Sequence, residues 1–205
     1  MHPVKNAQVG ENRLQIWDEK EQQPDMYGGE MDSQSLFTFI LEMAGTIAFA
    51  ASGAMVGAQR GMDIFGICVL GVVTAVGGGA TRDIILGIVP PGMFQNPIYT
   101  IVATVTSCIV FAIMYWKQEL LEGENRLVYD KIMLVIDSVG LGVFTVMGVD
   151  KGITEGYMGR TFFLVFLGTV TGVGGGLIRD MMAGVPPYIF VRHIYACASI
   201  VGAIV

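Results

Sequence analysis

The chain has 205 residues, 53% of them hydrophobic and 15% charged, with a formal net charge of −6. A soluble domain carries about a quarter charged residues, so the composition argues against a water-soluble globule, and the acidic balance argues against nucleic acid as a partner.

Residues 1–35 hold seven acids, three bases, few large apolar side chains and the turn-prone stretches Gln22-Gln23-Pro24-Asp25 and Gly28-Gly29. They read as an acidic, disordered tail that carries −4 of the −6. The tail lacks the basic start and short apolar core of a secretory signal, so it is expected to stay attached.

From residue 36 onward the apolar residues gather into six blocks, at 36–57, 64–89, 97–116, 132–149, 161–185 and 188–205. Each is near the ~20 helical residues that cross a ~30 Å hydrocarbon core. The connections, such as 58–63 and 117–131, are short and polar, as in one compact helical bundle. Residues 36–205 therefore read as a single transmembrane domain.

The first span carries Glu42, Gly45, Phe49 and Gly53 on one helix face. The second carries Thr74, the triplet Gly77, Gly78 and Gly79, and then Arg82 and Asp83; the third is plain. The fourth repeats the first, with Asp137, Gly140, Phe144 and Gly148 at an offset of 95. The fifth repeats the second: LGVVTAVGGGATRDIILG at 70–87 matches LGTVTGVGGGLIRDMMAG at 167–184 in 11 of 18 positions, with Pro-Pro after each. Its site-bearing residues are Thr171, Gly174, Gly175, Gly176, Arg179 and Asp180.

Each unit is thus three spans, about 36–116 and about 132–205. Because three is odd, the second unit enters the membrane from the opposite side, and the repeats are inverted. Transporters built this way place their substrate path at the repeat interface, along interrupted helices. The fold class is an all-α membrane protein of two inverted three-helix repeats.

Three glycines weaken a helix by roughly 1 kcal/mol each relative to alanine, so the second and fifth helices are expected to break at the triplets and line a wet cavity. Close helix packing through small residues is the other reading of the same glycines. An arginine at that depth costs at least ~2.5–3.5 kcal/mol on insertion scales, so Arg82 and Arg179 need partners, and Asp83, Asp180, Glu42 and Asp137 are the candidates. Thr74 and Thr171 can bond their own helix carbonyls or face a permeating ion. Glu42 and Asp137 can serve at the two mouths of a path or stand as solvated interfacial carboxylates.

Cys68, Cys108 and Cys197 lie inside spans with no paired spacing for a metal site, and read as small hydrophobes. The histidines are His2 and His193; a His-based metal or catalytic centre is not expected, and no cofactor is. The glycine runs do not fit the dinucleotide Gly-x-Gly-x-x-Gly spacing. With no nucleophile, base and orienter set, the chain reads as a non-enzyme.

The duplicated Gly-Gly-Gly-x-x-Arg-Asp followed by Pro-Pro resembles the prokaryotic members of the trimeric intracellular cation channel (TRIC) family and the related bacterial glycine transporter domain. The likeness covers about residues 36–205. It implies a homotrimer in which each subunit has its own hourglass path, kinked at the second and fifth helices and passing monovalent cations, chiefly potassium. The positions matching the motif are Gly77, Gly78, Gly79, Arg82 and Asp83, with Gly174, Gly175, Gly176, Arg179 and Asp180. The family's seventh helix, after the repeats, is expected to be absent or truncated here.

Lysines and arginines near the spans number five on one side (Arg60, Lys117, Arg126, Lys131, Arg192) and three on the other (Lys20, Lys151, Arg160). This bias places the N-terminus outside the cytoplasm of a cell (inner) membrane. Two alternatives to a channel stay open: an ion-coupled carrier of glycine or another small neutral amino acid, and a scaffold in which the charges are structural.

Overall fold

The computed structural model describes residues 33–116, 125–187 and 193–204, and a helix lies over each apolar block. The elements are α1 (Ser33–Gln59), α2 (Ile64–Leu86), the single turn α3 (Gly92–Gln95), α4 (Ile98–Trp116), α5 (Asn125–Gly152), α6 (Thr161–Met182) and α7 (His193–Ile204), with a π turn at Ile153–Tyr157 after α5. Among the described residues there is no strand. The packed body is Phe37–Val205, and the acidic tail lies outside the described residues apart from the first residues of α1.

Local chemistry sets the ends. Asp63 caps α2 by accepting from the Gly66 amide at 2.7 Å. Gly87, at φ 75°, closes it in the left-handed conformation that spares a glycine any Cβ clash. The spans expected at 64–89 and 161–185 therefore stop at Leu86 and Met182. The one expected at 132–149 lengthens to Asn125–Gly152 because its first turns are amphipathic and not apolar. Five helices are long and apolar enough to cross a membrane; of the sixth expected span, 188–205, the described helix is the twelve residues His193–Ile204.

One expectation is overturned. The second and fifth helices are not broken: α2 and α6 run as continuous helix through Gly77–Gly79 and Gly174–Gly176. The glycines with positive φ are Gly61, Gly87, Gly156 and Gly184, all outside the triplets. The triplets instead mark where α2 and α6 cross. A Cβ on Gly78 would collide with the carbonyl oxygen of Thr171, and a Cβ on Gly175 with that of Thr74. The small-residue contact that lets two backbones meet outweighs the cost of glycine inside each helix.

These two contacts are reciprocal, since Thr74 and Gly78 in one half correspond to Thr171 and Gly175 in the other. The same exchange recurs between α1 and α5. Gly45 packs on Phe144, Gly140 on Phe49, and the two rings stack with centroids 5.1 Å apart. Within each half, Gly53 meets Thr74 and Gly148 meets Thr171 at 2.5 and 2.6 Å from the position a Cβ would take. Paired exchange of this kind joins equivalent positions of the two sequence repeats.

Outside this seam, large apolar side chains such as Phe65, Ile101, Ile109, Trp116 and Phe162 are exposed. So much exposed apolar surface suits hydrocarbon and not water. The molecule is an integral membrane protein.

Candidate functional site

The second half supplies the most deeply buried charges. Arg179, late in α6, is 0% exposed although it is among the largest side chains in the core. Its Nη1 donates to Asp137 Oδ1 on α5 at 2.5 Å and to Ser52 Oγ on α1, and its Nε donates to Asp180 Oδ1 at 2.8 Å. Ser52 Oγ in turn donates to Asp137 Oδ1 at 3.0 Å. Three helices thus converge on one guanidinium, with two carboxylates against one cation. Such a cluster persists in a low-dielectric interior only when its members are paired and hydrogen-bonded.

The first half repeats the motif but not the cluster. Arg82 Nε and Nη2 reach Asp83 Oδ1 at 2.9 and 2.8 Å, and Asp83 Oδ2 accepts from the Gly92 amide at 2.8 Å, tying α2 to α3. The neighbouring carboxylate, Glu42, does not join them; it accepts from the Tyr99 hydroxyl on α4. Where Ser52 serves Arg179, the corresponding position of the other half is Met147, which has no hydroxyl. The Arg82 side chain is therefore 13% exposed and the Arg179 side chain is sealed.

The structure brings Asp137, Arg179 and Asp180 together as partners and keeps Glu42 and Arg82 apart. Thr74 and Thr171 donate to Leu70 O and Leu167 O at 2.6 and 2.7 Å, and both are fully buried under Gly53 and Gly148. Gly77 and Gly174 flank the crossing, Gly176 is buried in α6, and Gly79 opens toward Arg82 Nη2, 3.9 Å from its would-be Cβ. Sequence reasoning missed Ser52 and Tyr99. The signal for Ser52 was available, because it is a polar residue on the repeated face of α1 whose counterpart is apolar.

A bundle of long apolar helices in two exchange-related halves, closed over a buried ion cluster, defines a polytopic membrane protein whose polar groups lie between its repeats. The chain belongs to the family described as Glycine transporter, which it matches over residues 39–115 and 134–205. It is similar to the UPF0126 inner membrane protein YadS of Escherichia coli (strain K12), 40% identical over 171 residues, covering 83% of this chain and 77% of that one. Its fold is similar to that of the TRIC trimeric intracellular cation channel orthologue from Rhodobacter sphaeroides, at 31% identity and a TM-score of 0.73, covering 82% of this chain and 81% of that chain. A prokaryotic TRIC channel solved in 0.5 M KCl is equally similar, at 31% identity, a TM-score of 0.74 and the same coverage.

Proposed function

We propose that the protein is a passive channel for monovalent cations, chiefly potassium, with one path inside each subunit of a homotrimer and its N-terminus outside the cytoplasm. The observation that carries this reading is the Ser52–Asp137–Arg179–Asp180 cluster, buried where the two halves meet. Its sum of one cation and two carboxylates leaves net negative charge in the interior, which favours a cation over an anion. The likeness to solved cation channels supports the same reading.

On this reading Arg179, paired with Asp137 and Asp180, stands in the place a cation would take, and this arrangement is the closed state. Opening separates Arg179 from Asp137, so that a permeating ion exchanges its hydration shell for the freed carboxylate, the Ser52 hydroxyl and helix carbonyls. Conduction needs an ion held well enough to enter and weakly enough to leave. The nearby guanidinium supplies the second condition. Glu42 stands in the outer part of the first half, where it draws cations toward the path, and Arg82–Asp83 is the more accessible charge pair inside it.

The test is potassium flux from liposomes reconstituted with the purified protein, with a potassium-selective ionophore as the upper reference. Flux that follows the potassium gradient, with unitary current steps when the same protein is fused into a planar bilayer, supports the proposal; a membrane that stays tight in both refutes it. The family's description favours one rival, an ion-coupled carrier of glycine. Saturable, gradient-dependent uptake of radiolabelled glycine without current steps would establish that rival.

A further inference from the structure

Cys68 on α2 and Cys108 on α4 are 40 residues apart in sequence, yet their Sγ atoms stand 3.5 Å from one another. Both are free thiols, one half-buried and one exposed, and neither takes part in the charge cluster. Their approach is fixed by the packing beside them. A Cβ on Gly71 would meet Ser107, whose own Cβ lies 3.1 Å from that position, so α2 and α4 nearly touch one residue before Cys108. A disulfide bond is about 2.0 Å long. The two sulfurs are therefore about 1.5 Å from bonding distance.

The pair is also reachable. Cys68 lies five residues past the Asp63 cap, about 7 Å of helical rise, and Cys108 eight residues before the exposed Trp116, about 12 Å. In a ~30 Å hydrocarbon layer that is the half nearest one surface, which small neutral oxidants enter.

We propose that Cys68 and Cys108 are a modification site for hydroperoxides, forming a reversible disulfide within one subunit that clamps α2 to α4. One thiol gives up its proton, its thiolate attacks the terminal oxygen of the peroxide, the O–O bond breaks, and the departing oxygen takes the proton and leaves as water or, for an organic hydroperoxide, as the alcohol, so that the cysteine becomes a sulfenic acid. The second thiol then attacks that sulfur, forming the S–S bond and releasing water. Two thiols are oxidised by two electrons and one peroxide is reduced. A thiol reductant reverses the bond by exchange. α2 carries Arg82 and Asp83, and α4 carries the Tyr99 that holds Glu42, so the clamp ties together the two helices that bear the first-half charge arrangement and opposes their moving apart. Its effect on flux rests on the channel reading; the bond itself does not.

The experiment uses the full chain with Cys197→Ser in liposomes, treated with hydrogen peroxide and then with a phosphine reductant. A loss of two hydrogens in the intact mass is expected, with a Cys68–Cys108 cross-linked peptide, no subunit dimer on a non-reducing gel, and potassium flux falling roughly tenfold and recovering on reduction. Cys68→Ser, with its methionines oxidised to the same extent, keeps its flux. Subunit dimers, or thiols carried on to sulfinic acid without a bond, overturn the site. A bond that leaves flux unchanged overturns the clamp. If the untreated protein passes no potassium, the channel reading fails by itself and the mass result still decides the chemistry.

Discussion

The α-carbon of Gly78 faces the backbone carbonyl of Thr171 so closely that no side chain fits between them. The exchange-related contact, Gly175 against the Thr74 carbonyl, is equally tight. A methyl group at either position must push two helix backbones apart, and backbone gives less readily than the end of a side chain. Gly78→Ala and Gly175→Ala are therefore each expected to lose at least about 3 kcal/mol, the upper end of ordinary overpacking costs. Gly79→Ala, whose nearest neighbour is the flexible end of Arg82 at 3.9 Å, should change stability little. Thermal unfolding in detergent, followed by tryptophan fluorescence or loss of monodisperse protein, gives the order. Equal effects at Gly78 and Gly79 would remove the crossing point from the account.

The two Arg-Asp pairs, alike in sequence, should respond differently to truncation. Removing Asp137 leaves a sealed guanidinium one carboxylate short, and breaking a buried pair from one side costs about 3–5 kcal/mol. Arg82→Ala frees a buried carboxylate that still accepts from the Gly92 amide, and the arginine it loses is itself 13% exposed, so it should cost less than Asp137→Ala, about 1–3 kcal/mol. The comparison to make is the melting temperature of Asp137→Ala against Arg82→Ala in one detergent. A larger loss for Arg82→Ala contradicts the asymmetry between the halves.

Glu42 and Tyr99 offer a double-mutant cycle. A hydrogen bond to a charged acceptor contributes about 1.5–3 kcal/mol, so Tyr99→Phe should destabilise the wild-type chain by that order. In a Glu42→Gln background, where the charge is already gone, the same change should cost clearly less. Additive effects of the two substitutions would show that the hydroxyl and the carboxylate do not act on each other.

Much of this architecture is legible in the sequence because it is written in features a single chain displays: block length, the 97-residue repeat of Gly-Gly-Gly-x-x-Arg-Asp, and charges set in apolar runs. The helix caps at Asp63 and Gly87 follow from local chemistry as well. What the triplets do was not legible. A glycine run weakens a helix by itself, and only the partner helix, absent from any local reading, decides whether that weakness becomes a break or a close crossing. The unequal fates of Arg82 and Arg179 were hidden for a related reason. They depend on Ser52 and Tyr99, which lie 127 and 57 residues from the groups they serve. The thiol pair was hidden too, since Cys68 and Cys108 meet only because α2 and α4 touch at Gly71 and Ser107.

The accessible arginine gives the sharpest test of how ions are handled. Arg82 is compensated by Asp83 alone among the described residues. Replacing it with glutamine leaves Asp83 without its cation, held by the Gly92 amide, while keeping a hydrogen-bonding side chain of similar reach; in the proposed channel that carboxylate faces the ion. A cation then meets a deeper well on entry and a higher step on exit. Unitary conductance of Arg82→Gln at low potassium should rise severalfold over wild type, because entry limits the rate there. At high potassium it should saturate earlier and fall below wild type, because exit limits the rate instead. A planar-bilayer conductance curve across potassium concentration separates the outcomes. Two curves that cross support a guanidinium that weakens ion holding from within the path, whereas curves that differ by one constant factor place Arg82 away from the ion's route.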